Sequence, residues 1–123
     1  MNDLVVISQL VIALGIMNVW LVRAQKPTNY RGGTARSMEE EFHIYGLSTN
    51  CMKVVRAFKL FFAGLLLVGY WWPTLTVIGA MGMAFLMAAA VLLHVKVRDP
   101  FRKSLPAASL LILSLFVAMT TKP

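Results

Sequence analysis

The chain has 123 residues, of which 59% are hydrophobic and only 14% are charged, and its formal net charge is +7. An average soluble domain is about 45–50% apolar and about 25% charged, and a small soluble fold buries only about two-thirds of the surface of its chain. This composition excludes a small soluble domain, and the many large apolar residues exclude a disordered chain. We therefore expect a membrane protein with a single domain, residues 1–123.

Four apolar runs predict helices that cross the membrane, since a straight crossing needs about 20 residues. These helices are expected over about residues 4–22, 54–70, 74–95 and 105–120. The second run carries Arg56 and Lys59 near its start, and the fourth run is short, so both need flanking interfacial residues to span a bilayer. The predicted fold is all-α, a four-helix transmembrane bundle with a short interfacial helix between helices 1 and 2.

The connection between the first two runs contains the short helix, expected over about residues 35–46. Its apolar face has the spacing i, i+4, i+7, with Met38, Phe42 and Tyr45. Thr34 is the expected N-cap and Gly46 the expected stop, while residues 30–33 predict a turn. We expect this helix to lie across one end of the bundle, either in the interface or as a short soluble helix resting on the bundle.

The distribution of basic residues predicts the orientation of the protein. Nearly all of them lie in the connections over residues 23–53 and 96–103, or just inside the second run. Because cytoplasmic loops of membrane proteins collect Lys and Arg, both connections are expected in the cytoplasm and both termini outside, in a bacterial inner membrane. The positive charge is thus explained by topology, and we expect no nucleic-acid partner.

A layer of polar side chains is expected near the cytoplasmic end of the bundle, formed by Asn18, Glu40, Glu41, Lys59 and His94. An Arg or Lys in mid-membrane costs roughly 2.5–3.5 kcal/mol and so needs a partner or a role. We expect Lys59 to pair with Glu40 or Glu41, or else to reach the lipid headgroups with its long side chain. The layer has three interpretations: a proton-linked site, a pocket for a quinone head group, or polar contacts that hold the helices together.

Other motifs say less about function. Ala80, Ala84 and Ala88 form a small-residue stripe that favours close helix packing, inside the bundle or in a homo-oligomer. The single cysteine, Cys51, excludes an internal disulfide and a Cys-based metal site. Since the sequence shows no nucleophile-and-base arrangement and no phosphate loop, we expect no catalytic residue and no metal ligand.

Three segments of the chain resemble the DoxX-like family of small membrane proteins: residues 18–23, 26–33 and 40–47. The most specific parts are Tyr30-Arg31-Gly32-Gly33 and Glu40-Glu41-Phe42-His43-Ile44-Tyr45-Gly46, and Lys59 and residues 94–100 fit the pattern too. The resemblance implies a four-helix membrane bundle with both termini on one side. Some members are membrane subunits of quinone-linked sulfur-oxidising complexes, and the family offers no catalytic residues to carry over.

Three functions remain open at this point. The first is an accessory or interaction subunit of a membrane complex, which is not itself catalytic and which binds a membrane-protein partner or a second copy. The second is a quinone- or lipid-binding membrane subunit of an electron-transfer system that uses the polar layer. The third is a small transporter or channel formed by an oligomer. The chain shows no redox centre of its own, so a redox role would need a quinone or a partner subunit.

Overall fold

The computed structural model describes residues 3–22, 35 and 37–122, and this part of the chain is all-helical, which confirms the predicted class. Its helices are α1 (Asp3–Met17), α2 (Met38–Ile44), α3 (Thr49–Val68), α4 (Pro73–Lys96) and α5 (Leu105–Thr120). A π-helical segment, Asn18–Val22, continues α1, and a 3₁₀ turn, Phe101–Ser104, precedes α5. The turn predicted over residues 30–33 and the predicted N-cap Thr34 lie outside the described residues.

Three of these helices are long and apolar enough to cross a membrane. They are α1 with most of its π-helical extension, α4, and α5 with the preceding turn. Helix α3 has 20 residues, but Lys53, Arg56 and Lys59 make it less hydrophobic than the others. The class predicted from composition, a membrane protein with transmembrane helices, is confirmed by these three helices.

The four long helices pack in the cyclic order α1, α3, α4, α5, so that each contacts two neighbours. Each contributes one large side chain to the centre, with at most 1% of its surface exposed: Ile12, Leu66, Met83 and Val117. Helices α3 and α4 approach closely at Gly82, where an added Cβ would overlap the ring of Phe62. The small residues of α4 therefore serve packing inside the protein, and Ala80 and Ala84 are buried.

The end of α3 is closed by a side chain from α1. A helix leaves its last four carbonyl groups without backbone partners inside the helix. Here the carbonyls of Leu65, Leu67 and Val68 accept from the N–H groups of the following turn. The carbonyl of Leu66 accepts from Nε2 of Gln9 at 2.9 Å, and the same Nε2 also donates to the Thr76 hydroxyl at 3.1 Å. Gln9 thus connects α1, α3 and α4 around the hairpin that joins α3 to α4.

Helix α2 begins at Met38, three residues later than predicted. Its N-cap is Ser37, whose hydroxyl accepts from the backbone N–H of Glu40 at 3.2 Å, because a serine at this position satisfies a free donor of the first turn. The helix ends in a Schellman motif at Gly46, which has φ of 82°. The apolar face of α2 is buried as predicted, while Glu40 and His43 are exposed.

Candidate functional site

A cavity of about 200 Å³ lies at the end of the protein where α1 and α4 end and α3 and α5 begin. All five helices contribute to its lining, which includes four of the five predicted site residues: Asn18, Glu41, Lys59 and His94. Glu40 is exposed and does not line the cavity. Consecutive residues of a helix point in directions about 100° apart, so the inward turn of Glu41 leaves Glu40 outside.

Lys59 is the charged group in the wall contributed by α3. Its side chain is buried, with 8% of the residue exposed, and its ammonium lies 4.5 Å from the centroid of the Trp20 ring. The charge of Glu41 acts on this ammonium. A cation over an indole face is attracted by the ring quadrupole, and the acidic group provides the opposite charge. The ammonium therefore points into the protein and not toward the surface.

Trp20 enters the site from the π-helical segment that continues α1. A π-helical turn is closed by hydrogen bonds between residues i and i+5 instead of i and i+4, and such segments occur frequently at functional sites. The buried indole meets the ring of Phe42 edge to face, with centroids 6.0 Å apart. Phe42 in turn lies 6.2 Å from Tyr45, so α2 is packed onto the end of α1 through aromatic rings.

His94 is held at both ring nitrogens. Nδ1 lies 2.8 Å from Oδ2 of Asp99, and Nε2 lies 3.5 Å from the hydroxyl of Tyr45. Because an ionised carboxylate only accepts hydrogen bonds, Nδ1–H is the donor to Asp99. The imidazole ring also meets the Tyr45 ring edge to face at 5.9 Å. The orientation of the imidazole is therefore fixed by partners from two parts of the chain.

The end of α4 explains why Asp99 reaches His94. Arg98 adopts φ of 59°, and the backbone N–H of Asp99 donates to the carbonyl of His94 at 3.0 Å, so α4 ends in a second Schellman motif. This motif turns the chain back over the last helical turn, and it places the Asp99 carboxylate beside the imidazole. The other carboxylate oxygen lies 3.9 Å from Nζ of Lys103.

Helix α2 is fixed to α4 at the same place. The carbonyl of Tyr45 accepts from Nζ of Lys96 at 2.8 Å, next to the contact between Tyr45 and His94. Trp20, Tyr45, Asp99 and Lys103 were not among the predicted site residues. An Asp five residues after a His at a helix end is the spacing that a Schellman motif brings together, and that spacing could have indicated Asp99 from the sequence.

The cavity opens between α1 and α5. Asn18, Val19 and Pro106 are the exposed residues of its lining, and they lie on the extension of α1 and on α5. Most of the remaining wall is apolar. Each ammonium group at the cavity has an acidic group nearby, because Glu41 lines the same cavity as Lys59 and the Asp99 carboxylate lies 3.9 Å from Nζ of Lys103. The site therefore suits a neutral ligand with hydrogen-bonding groups better than an anion.

Comparison with known proteins gives one result. A family model described as the DoxX-like family matches residues 30–117, which is more than half of the chain. The matched range includes Glu41, Lys59, His94 and Asp99, and it begins after Asn18 and Trp20. Neither the curated proteins nor the solved structures gave a match.

Proposed function

Because this chain belongs to the DoxX-like family, we propose that it is a membrane subunit that binds the head group of a membrane quinone in the cavity between α1 and α5. In this proposal it is an accessory subunit of a larger electron-transfer complex. A membrane partner exchanges electrons with the quinone, and this chain holds the quinone in place. The two functions that the sequence left open, accessory subunit and quinone binder, are thereby combined.

The observation that carries the proposal is the composition of the cavity wall. A quinone is a flat neutral ring with two carbonyl groups that accept hydrogen bonds. The ammonium of Lys59 and the amide of Asn18 are donors at the cavity, and the indole of Trp20 adds a flat apolar surface. These groups match a quinone ring better than they match a phosphate, since both lysines near the cavity already have acidic partners.

The size and opening of the cavity support the same ligand. Drug-sized ligands occupy pockets of about 300–1,000 Å³, so a cavity of about 200 Å³ has room for one small ring. The hydrophobic tail of a quinone would leave through the opening between α1 and α5. If these helices cross the bilayer, the opening faces the lipid acyl chains, where such a tail is soluble.

The proposal includes a membrane crossing by α3. Helix α3 contacts both α1 and α4, and the turn that joins it to α4 is short. If α4 crosses the bilayer, α3 returns across it beside α4. Lys53 and Arg56 lie in the half of α3 near the basic end, and Lys59 is covered by Trp20 and Glu41. All four long helices then cross, with both termini outside.

The experiment measures quinone binding through the fluorescence of Trp20. The chain has 3 Trp residues, and Trp71 and Trp72 are exposed at the other end of the protein, so Trp71→Phe/Trp72→Phe leaves Trp20 as the only indole. Titration with decylubiquinone should quench this fluorescence with saturation at one site. Lys59→Met should weaken binding about tenfold or more, because a hydrogen bond from a charged group contributes about 1.5–3 kcal/mol.

Lys53→Met is the matched control. Lys53 lies on the same helix, is exposed and does not line the cavity, so its replacement should leave the affinity unchanged. Quenching that rises without saturation, and equally in all variants, would show that decylubiquinone only dissolves in the micelle, and it would contradict the proposal.

A channel through a single copy is disfavoured by the apolar centre, where four fully buried side chains meet.

A further inference from the structure

We propose that Asp99 and His94 form a proton relay between the cavity and the aqueous face at the basic end of the protein. This inference rests on the proposed quinone site and states how that site exchanges protons. Conversion of a quinone to a quinol needs two electrons and two protons, and new O–H bonds form at both carbonyl oxygens. A site that is covered by protein must provide a path for those protons.

The residues between the cavity and the surface form a continuous chain. His94 lines the cavity and is 7% exposed. Its Nδ1 contacts the Asp99 carboxylate, whose side chain is 5% exposed, and the other carboxylate oxygen faces Lys103, whose side chain is 19% exposed. His94 and Asp99 are both buried, and the last step, to Lys103, leads to a more exposed side chain. Asp99 therefore bridges the imidazole at the cavity and the solvent around the loop that follows α4.

The geometry at His94 fits transfer through the ring. Nδ1 makes a short hydrogen bond at 2.8 Å, whereas the contact from Nε2 to the Tyr45 hydroxyl, at 3.5 Å, is long for a hydrogen bond. Nε2 is thus the nitrogen that can give its proton to a ligand. In this step Asp99 carries a proton taken from water near Lys103 and gives it to Nδ1 of a ring that holds its own proton on Nε2, while the Nε2 proton passes to the ligand. The ring is left with its proton on Nδ1, as in the resting contact with Asp99, and returns to the Nε2–H form before it carries another proton.

Conversion of the quinone to a quinol also needs an electron donor. Two electrons come from a redox-active partner protein in the membrane, or from dithionite in a test tube. One proton reaches one carbonyl oxygen through Asp99 and His94. The carbonyl oxygen on the opposite edge of the ring takes the second proton from another donor in the cavity wall, the ammonium of Lys59, which regains a proton from water, and the quinone leaves as a quinol. Oxidation of a quinol runs through the same groups in the opposite direction.

Other charged and titratable groups surround His94. Tyr45 faces the ring from α2, Asp99 and Lys103 face it from the chain after α4, and Lys59 and Glu41 also line the cavity. A relay of this kind makes the reduction rate depend on pH through the coupled pair His94 and Asp99. A purely structural pair would affect the stability of the fold and leave the pH profile of reduction unchanged.

The test follows the reduction of decylubiquinone bound to the full-length protein in detergent. Dithionite is used at concentrations where the rate no longer depends on the reductant, and the loss of quinone absorbance gives the rate of quinol formation. Asp99→Asn should slow this step on the order of 100-fold, the range typical of general acid catalysis, and should leave the decylubiquinone affinity unchanged. Glu39→Gln is the control, since Glu39 is an exposed carboxylate at the same end that bonds to Thr49.

A second variant separates proton transfer from a structural role. His94→Ala should also be slow, and added imidazole should restore much of the rate by occupying the space of the lost ring. If Asp99→Asn does not fold, His94→Ala alone still tests the relay. Equal rates and equal pH profiles for Asp99→Asn and wild type, or a His94→Ala defect that imidazole does not relieve, would overturn the relay and leave the quinone site intact. Failure of the wild type to bind decylubiquinone would overturn the proposed function and the relay together.

Discussion

Lys59 lies near the middle of α3, and two different interactions hold its ammonium. One is the face of the Trp20 ring at 4.5 Å, and the other is the charge of Glu41. Taking a charge out of water is costly, and a buried ion pair therefore adds little net stability compared with an apolar pair. We infer that Lys59 and Glu41 act as one pair in the cavity wall, and that this pair adds little to the stability of the bundle.

This inference predicts a coupled pair of substitutions. Lys59→Met and Glu41→Gln should each remove the partner of the other, so the double variant should lose less free energy of unfolding than the sum of the single variants. The expected interaction energy is about 0.5–3 kcal/mol, the range for residues in one network. Unfolding in mixed detergent micelles, followed by circular dichroism, measures all four proteins. Additive effects would contradict the pairing.

Part of the cavity lining could be predicted from the sequence because polar residues are conspicuous within apolar runs. Asn18, Lys59 and His94 were predicted for this reason, and the structure brings all three to one cavity. The choice between Glu40 and Glu41 could not be made, because it depends on the rotation of α2 against the bundle. Trp20 was not predicted as a cavity residue, because an indole at the end of an apolar helix is equally typical of the membrane interface.

Helices α2 and α4 both end in Schellman motifs, but the residue in the left-handed conformation differs between them. Gly46 follows α2 with φ of 82°, and Arg98 follows α4 with φ of 59°. A left-handed conformation costs a residue with a Cβ roughly 1 kcal/mol, and it costs glycine almost nothing. The end of α4 therefore holds a strained residue next to Asp99, whereas the end of α2 does not.

Opposite substitutions at these two positions should have opposite effects. Arg98→Gly should raise the free energy of unfolding by about 0.5–1 kcal/mol, and Gly46→Ala should lower it by about 1 kcal/mol. Thermal unfolding of both variants in the same detergent provides the comparison. If Arg98→Gly were destabilising, the Arg98 side chain would have to make contacts worth more than the backbone strain.

Substitutions of two buried polar groups near the hairpin end should differ in their effect on the free energy of unfolding. Gln9→Leu leaves the Leu66 carbonyl without its side-chain donor, so it should cost about 1–2 kcal/mol. Ser114 is buried, and within the described residues its hydroxyl has no hydrogen-bond partner, so Ser114→Ala should be neutral or slightly stabilising. The same unfolding measurement compares them. Equal costs for the two substitutions would show that the contact of Gln9 does not stabilise the end of α3.

Element boundaries were predictable where composition changes sharply. The start of α4 at Pro73 follows from a proline after an aromatic turn, since proline suits the first position of a helix. The start of α2 was predicted too early, because Ser37 caps the helix and the sequence offers more than one residue able to do so. Helix α3 begins at Thr49, before its apolar run, because Ser48 caps it: its hydroxyl accepts from the backbone N–H of Cys51.

At the scale of the whole molecule, the number of crossings decides the topology. Three described helices are apolar enough to span a membrane, and we propose that α3 is the fourth. Four crossings place both termini on one side, whereas three crossings place them on opposite sides. Composition alone could not settle this number. Lys59 is compatible with a membrane only through its surroundings in the folded protein, and Lys53 and Arg56 only because they lie near the basic end of α3.

Cysteine labelling in sealed, right-side-out vesicles tests the topology. In a Cys51→Ser background, Asp3→Cys and Lys122→Cys should both react with a membrane-impermeant maleimide from outside. In the wild type, Cys51 is the only cysteine, and it should react only after the vesicles are opened, since it lies near the basic end. Labelling of only one terminus from outside would show three crossings and contradict the proposed path of α3.

The membrane class, the helical fold and the family were all accessible from the sequence, and all three are confirmed. The cyclic order of the helices and the position of the cavity could not be predicted from the sequence. Periodicity assigns a face to a helix only when one side is polar, and α1, α4 and α5 are apolar around most of their circumference. Their contacts depend on side-chain shape, as in the close approach of Gly82 to Phe62.

The most direct test of the quinone site is photolabelling with an azidoquinone, followed by mass spectrometry of the labelled peptides. The expected result is a saturable one-to-one adduct on the two helices that border the opening, at residues 16–20 and 106–110, which decylubiquinone suppresses and which in Lys59→Met needs about tenfold more azidoquinone to reach the same level. Label spread over the exposed apolar surfaces of α3 and α4, without saturation and without competition, would show that the quinone meets this protein only as a solute of the membrane.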